Sequence, residues 1–123
     1  MKITLVSEDE IRLEDSGEPI TIEAQSADQV YSPFHMLASG LASCTFSVLH
    51  SWATHAKVHS DGLVVGVSWT FADDPHRVGS MKVTVTWTSL PPERRAAAQR
   101  AAALCTVHKT LEHPPQMAIE VVG

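Results

Sequence analysis

Two stretches in the middle of the chain alternate with a period of two. Leu63, Val65, Val67, Trp69 and Phe71 interleave with Val64, Gly66, Ser68 and Thr70, and Met81, Val83, Val85 and Trp87 interleave with Lys82, Thr84, Thr86 and Thr88. That period, carried by β-branched and aromatic residues, predicts half-buried strands. Between them Asp73-Asp74-Pro75-His76-Arg77-Val78-Gly79-Ser80 supplies turn chemistry. A long antiparallel hairpin with one apolar face is expected.

Shorter strands are expected before Pro33, at Lys2 to Val6, Glu10 to Leu13 and Pro19 to Glu23, with a break at Asp15-Ser16-Gly17. The tail Met117-Ala118-Ile119-Glu120-Val121-Val122 reads as a last strand after Pro114-Pro115.

The period becomes helical from about Pro33 to about Ala56, with proline at a favoured first-turn position. At 100° per residue, Leu37, Gly40, Leu41, Cys44, Ser47, Val48 and Ser51 share one side, a mixture of apolar and small residues suited to close helix packing. A second helix is expected to start near Pro91-Pro92-Glu93 and run through the alanine block to Leu111. Its apolar side carries Ala97, Ala98, Ala101, Leu104, Cys105, His108 and Leu111, with Arg94, Arg95 and Arg100 toward solvent.

Strands, helix, hairpin, helix and strand make an α+β fold, an antiparallel sheet whose central hairpin is covered on one face by two helices, each bearing a cysteine. At 123 residues the expectation is a single domain over 1–123.

Composition narrows the partners. A formal charge of -5 with no basic cluster argues against nucleic acid. No apolar run approaches the ~20 residues needed to span a bilayer, and the start, Met1-Lys2-Ile3-Thr4-Leu5-Val6-Ser7-Glu8, turns acidic before a signal-type apolar region develops. A cytoplasmic protein without a membrane partner is expected. In a reducing compartment two cysteines are reduced, catalytic or inert rather than a permanent crosslink.

The candidate chemistry lies in those cysteines. Cys44 reads either as a nucleophilic thiolate, which needs a lowered pKa and a neighbouring donor or cation, or as a small buried hydrophobe. Nothing adjacent in sequence activates it. Cys105 and His108 stand three apart on a helix, so an imidazolium there can support a thiolate, or His108 can simply satisfy carbonyls at a helix end. No C-x-x-C is present, and of His55 and His59, four apart, His59 falls where the first helix is already ending, so no metal is expected. His35, His50, His76 and His113 read as surface or loop residues. Trp52, Trp69 and Trp87 read as core or interface anchors.

The segment Pro33-Phe34-His35-Met36-Leu37-Ala38-Ser39-Gly40-Leu41-Ala42-Ser43-Cys44 resembles the proline-led cysteine helix of the OsmC/Ohr family of thiol-dependent hydroperoxide reductases. Cys105-Thr106-Val107-His108-Lys109-Thr110-Leu111 is similar to that family's second cysteine motif, and the order of elements agrees over most of the chain. The resemblance implies an intertwined homodimer with active sites at the subunit interface. It implies that Cys44 attacks the peroxide to give a sulfenic acid, and that Cys105 condenses with it to a disulfide reopened by a dithiol reductant. It implies no metal or organic cofactor.

Two positions depart from the family pattern. Phe34 stands where the proline motif carries glutamate, and Arg12 is the only arginine available before the helix to serve as the family's electrostatic partner. His108 or His35 is then a candidate substitute, although His35, nine residues before Cys44, lies on the far side of a straight helix. The alternative function is a non-catalytic module that binds a small apolar ligand at the dimer interface, for which Phe34 suits the pocket. A thioesterase-like hydrolase is weaker, because the central helix offers no acid to act as base.

Overall fold

The structure, a computed structural model, describes residues 1–123. Its five-stranded sheet is built from β1 (Lys2–Ser7), β2 (Glu10–Glu14), β3 (Thr21–Ala24), β4 (Val64–Ala72) and β5 (Arg77–Thr86), in the order β3-β1-β2-β4-β5. All neighbours are antiparallel except β1 and β3, which run parallel. The long hairpin is β4–β5, in register from Val64↔Thr86 to Ala72↔Arg77 with one irregularity after Thr70.

Alternation does the sorting. Ile3 and Leu5 of β1, Ile11 and Leu13 of β2, and Val65, Val67 and Trp69 of β4 are all buried on one face. Against them lies α1 (Pro33–Ala56), through Ala38, Leu41, Ala42, Thr45, Phe46, Leu49 and Ala53. Three of these contacts are alanines, which let the helix approach the sheet closely, and Leu49, fully buried, would cost ~2–5 kcal/mol if cut to alanine.

The buried stripe of α1 differs from the expected one. Leu37, Gly40, Ser47 and Ser51 are exposed and Cys44 and Val48 only half-buried, so the face of small residues turns outward and Cys44 stands at its border with the core. The reason is that the sheet selects the longer run of apolar side chains one notch around the helix, through Ala38, Ala42, Phe46, Leu49 and Ala53.

Local chemistry fixes both ends of α1. Ser32 is the N-cap and Pro33 takes the first helical position. Lys57 at the far end adopts φ 57°, and its N–H reaches Ala53 O and Thr54 O. Beyond it the Trp87 indole donates to His59 O at 2.9 Å and meets Trp52 edge-on with centroids 6.0 Å apart, tying the loop after α1 to the end of β5.

The expected second helix is broken in two. A 3-10 turn at Pro92–Arg94 leads into α2 (Arg95–Ala102), and after a gap α3 spans Thr106–Glu112. Alanine propensity is continuous across the gap, but Cys105 takes φ -56° and ψ 130°, an extended conformation that starts a new helix.

The tail also departs from expectation, because residues 117–122 form no strand here. Its alternating pattern is intact, but no strand of this chain pairs with it. β5 remains an open sheet edge.

Candidate active site

Cys44 is delivered by the middle of α1 and Cys105 by the α2–α3 break, two elements that pack against each other. The fold brings together thiols 61 positions apart in the chain (105 − 44). The Cys44 sulfur lies against the Cys105 thiol and the backbone N–H groups of Val107 and Thr106. Both cysteines are free.

Their environments differ. Cys44 is half-buried, and burial by itself raises its pKa. The hydrogen bonds from the Cys105 thiol and from the N–H groups of Val107 and Thr106 outweigh that effect, and hold Cys44 below the ordinary thiol value. Cys105 is fully buried. Burial and the neighbouring Cys44 push its pKa up, against the opposing pull of the His108 N–H and the Thr45 hydroxyl. The two shifts run in opposite directions, as a nucleophile and its partner require.

His108 takes part in a way its sequence position did not suggest. Its backbone N–H, not its ring, meets Cys105 Sγ at 3.4 Å. The ring Nε2 turns to Glu112 Oε1 at 3.2 Å. Arg12 is not brought to the thiols. Ile11 and Leu13 point at α1, so Arg12 between them faces the other side of the sheet, with Nε 3.7 Å from Glu14 Oε1.

His35 is a correction. It is buried, and accepts at Nδ1 from the Ser32 N–H (3.2 Å) and hydroxyl (2.7 Å) while Nε2 donates to Ser7 O at 2.8 Å. It closes a capping box and sits edge-on to Trp69, centroids 5.2 Å apart, which makes it structural. Phe34 packs its ring edge-on against Phe71 of β4, at 4.9 Å.

A groove of about 740 Å³ opens beside the thiol pair between α1, α2 and β5. Leu49, Val83, Val85, Trp87, Leu90, Ala98, Ala102 and Ala103 make most of its wall, and Thr45 and His108, both neighbours of Cys105, form part of it. Arg95, which the sequence placed toward solvent, and Gln99 supply polar groups. No three His, Cys, Asp or Glu side chains converge as a metal site would require. No helix is long and apolar enough to cross a membrane.

A family model described as OsmC-like protein matches residues 26–120, a span that includes both cysteines. The chain belongs to the OsmC-like family. Two solved structures share the OsmC-like fold. A Psychrobacter arcticus 273-4 protein, provisionally described as an osmotic stress induced and detoxification response protein, is 26% identical, with a TM-score of 0.61 over 70% of this chain and 64% of its own. An OsmC-like hydroperoxide resistance protein from Jannaschia sp. CCS1 is 23% identical, with a TM-score of 0.57 over 76% of this chain and 67% of its own. This OsmC-like chain thus spans about two thirds of the length of each. No curated protein is a significant match.

Proposed function

We propose that this OsmC-like chain is a thiol-dependent peroxidase that reduces organic hydroperoxides. The observation that carries the reading is the contact between Cys44 of α1 and Cys105 at the α2–α3 break, two thiols with oppositely shifted pKa values. The Cys44 thiolate attacks the distal peroxide oxygen, the O–O bond breaks, and the alcohol leaves with a proton while Cys44 becomes a sulfenic acid. The Cys105 thiol then displaces the sulfenic oxygen as water, forming the disulfide. A dithiol reductant returns both cysteines by exchange. In this reading the N–H groups of Val107 and Thr106 do for the thiolate what an arginine does elsewhere, since Arg12 faces away. A reducing cytoplasm, where the pair rests as free thiols, suits the cycle.

The working unit in this proposal is an intertwined homodimer. The outward stripe of Leu37, Gly40, Ser47 and Ser51 and the unpaired tail are what a second copy would cover. One observation favours a second reading, a non-catalytic module: the apolar groove is large enough for a small ligand whether or not the thiols turn over.

Stopped-flow peroxide consumption with a dithiol reductant, for the parent and for Cys44→Ser, separates the two. Rapid turnover that the substitution abolishes supports the peroxidase. Turnover no faster than that of a free thiol sinks it and leaves the binding module.

A further inference from the structure

Two sulfurs stand at the start of α3. Cys105, at the N-cap, accepts from His108 N–H, and Cys44 lies against the N–H groups of Thr106 and Val107. These are the groups that a helix cannot satisfy within itself. A serine, threonine or aspartate normally serves them, whereas here the N-cap is a cysteine, Cys105, with Cys44 beside it.

Little else holds α3. It has seven residues, none of them buried, too few for a helix to persist without support. Its remaining ties are contacts with α1, the half-buried Val107 against the core, and the pairs of Glu112 with His108 (3.2 Å) and Lys109 (3.7 Å), which are weak in water.

We infer that α3 is a redox-operated gate, ordered while Cys44 and Cys105 are reduced and loosened when they join as a disulfide, so that a dithiol reductant gains access to Cys105. The inference rests on the pairing of these two cysteines proposed above, but not on a peroxide being the oxidant. A thiolate accepts charge-assisted hydrogen bonds, and a disulfide sulfur is neutral and a poorer acceptor. Bonding to Cys44 also fixes the direction of the Cys105 Cβ–Sγ bond, drawing the sulfur away from its place over His108. Both effects remove the cap.

The opening meets a need of the cycle. Cys105 has no exposed surface and one of its neighbours, His108, forms part of the groove wall. With α3 loosened, a reductant thiolate bonds to Cys105 Sγ, the disulfide breaks, and its electron pair leaves on Cys44. Cys44 leaves as a thiolate, which the α3 N–H groups receive as the helix recloses. The second thiol of the reductant then gives up its proton and attacks the mixed disulfide. It releases Cys105, which takes up a proton, and the reductant departs as its own disulfide, having supplied two electrons. Recapping by the two sulfurs closes α3.

Hydrogen exchange with mass spectrometry tests the gate on the whole chain, reduced by a phosphine or oxidised by diamide, which removes two hydrogens from a thiol pair without peroxide chemistry. Peptide mapping verifies the Cys44–Cys105 disulfide. In the disulfide form, amides of residues 106–112 should exchange about tenfold faster or more, while residues 45–56 of α1 stay unchanged. Cys44→Ser, treated identically, should show no acceleration. Equal or greater protection of 106–112 in the disulfide form overturns the gate, as does the same acceleration in Cys44→Ser. Failure to form the disulfide removes both this inference and the pairing beneath it. A gate that responds in a protein inert toward peroxides would leave the inference standing and remove only the peroxidase.

Discussion

Ser32 and His35 cap each other at the start of α1. The serine hydroxyl accepts the His35 N–H at 3.2 Å and donates to Nδ1, while the serine N–H also reaches that nitrogen. The opposite ring nitrogen donates to Ser7 O, so one imidazole joins the first turn of α1 to the end of β1. The helix that carries Cys44 is thereby anchored about 13 Å away from the thiol, nine residues at 1.5 Å each.

Replacing His35 with alanine removes half of the capping box and leaves the Ser7 carbonyl without its donor. A lost cap is worth about 1 kcal/mol and an unsatisfied buried carbonyl about 1–3 kcal/mol, so a loss of about 2–3 kcal/mol is expected. Urea denaturation should show a lower midpoint with an unchanged slope. A loss under about 0.5 kcal/mol, the range of ordinary surface substitutions, would contradict the structural role. His35→Gln, which keeps a donor, should lose less.

The opposed thiol shifts predict how alkylation depends on pH. Only the thiolate reacts, so the iodoacetamide rate rises with pH through each group's pKa. For Cys44 that midpoint lies below the ordinary thiol value, and for Cys105 above it. Peptide-resolved labelling near neutral pH should therefore modify Cys44 first. Cys105→Ala removes a hydrogen-bond donor to the Cys44 thiolate, so the Cys44 midpoint should move upward. A downward shift or equal labelling of the two cysteines would contradict the geometry.

Truncation after Gln116 tests the tail. Residues 117–123 belong to no helix or strand and lie exposed, so far-ultraviolet circular dichroism should change little. In the proposed dimer the same residues complete a partner's sheet, and light scattering should find the shortened chain as a monomer. A truncated chain that remains dimeric would place the interface elsewhere.

How much of this was readable beforehand differs by element. The β4–β5 hairpin and α1 were legible because their signals are local: strict alternation over nine residues (63–71) and eight (81–88), and a proline behind a serine cap. The break before α3 was not, since Ala101, Ala102, Ala103 and Leu104 all favour helix, and a thiol serving as N-cap leaves no trace in propensity. His35 read as a surface residue because its partners, Ser7 and Trp69, come from distant strands. At the site, the two cysteines were visible in their motifs. Their support was not, because it comes from backbone N–H groups, which every residue but proline possesses.

The free tail has a thermodynamic consequence. Met117, Ile119, Val121 and Val122 leave between 81% (Val122) and 93% (Ile119) of their surfaces in water, and the sheet of the same chain leaves its β5 edge open. Whatever apolar area a second copy removes from solvent there adds to stability by mass action. In the proposed dimer, dilution acts as a mild denaturant, and the melting temperature becomes a function of how much protein is present.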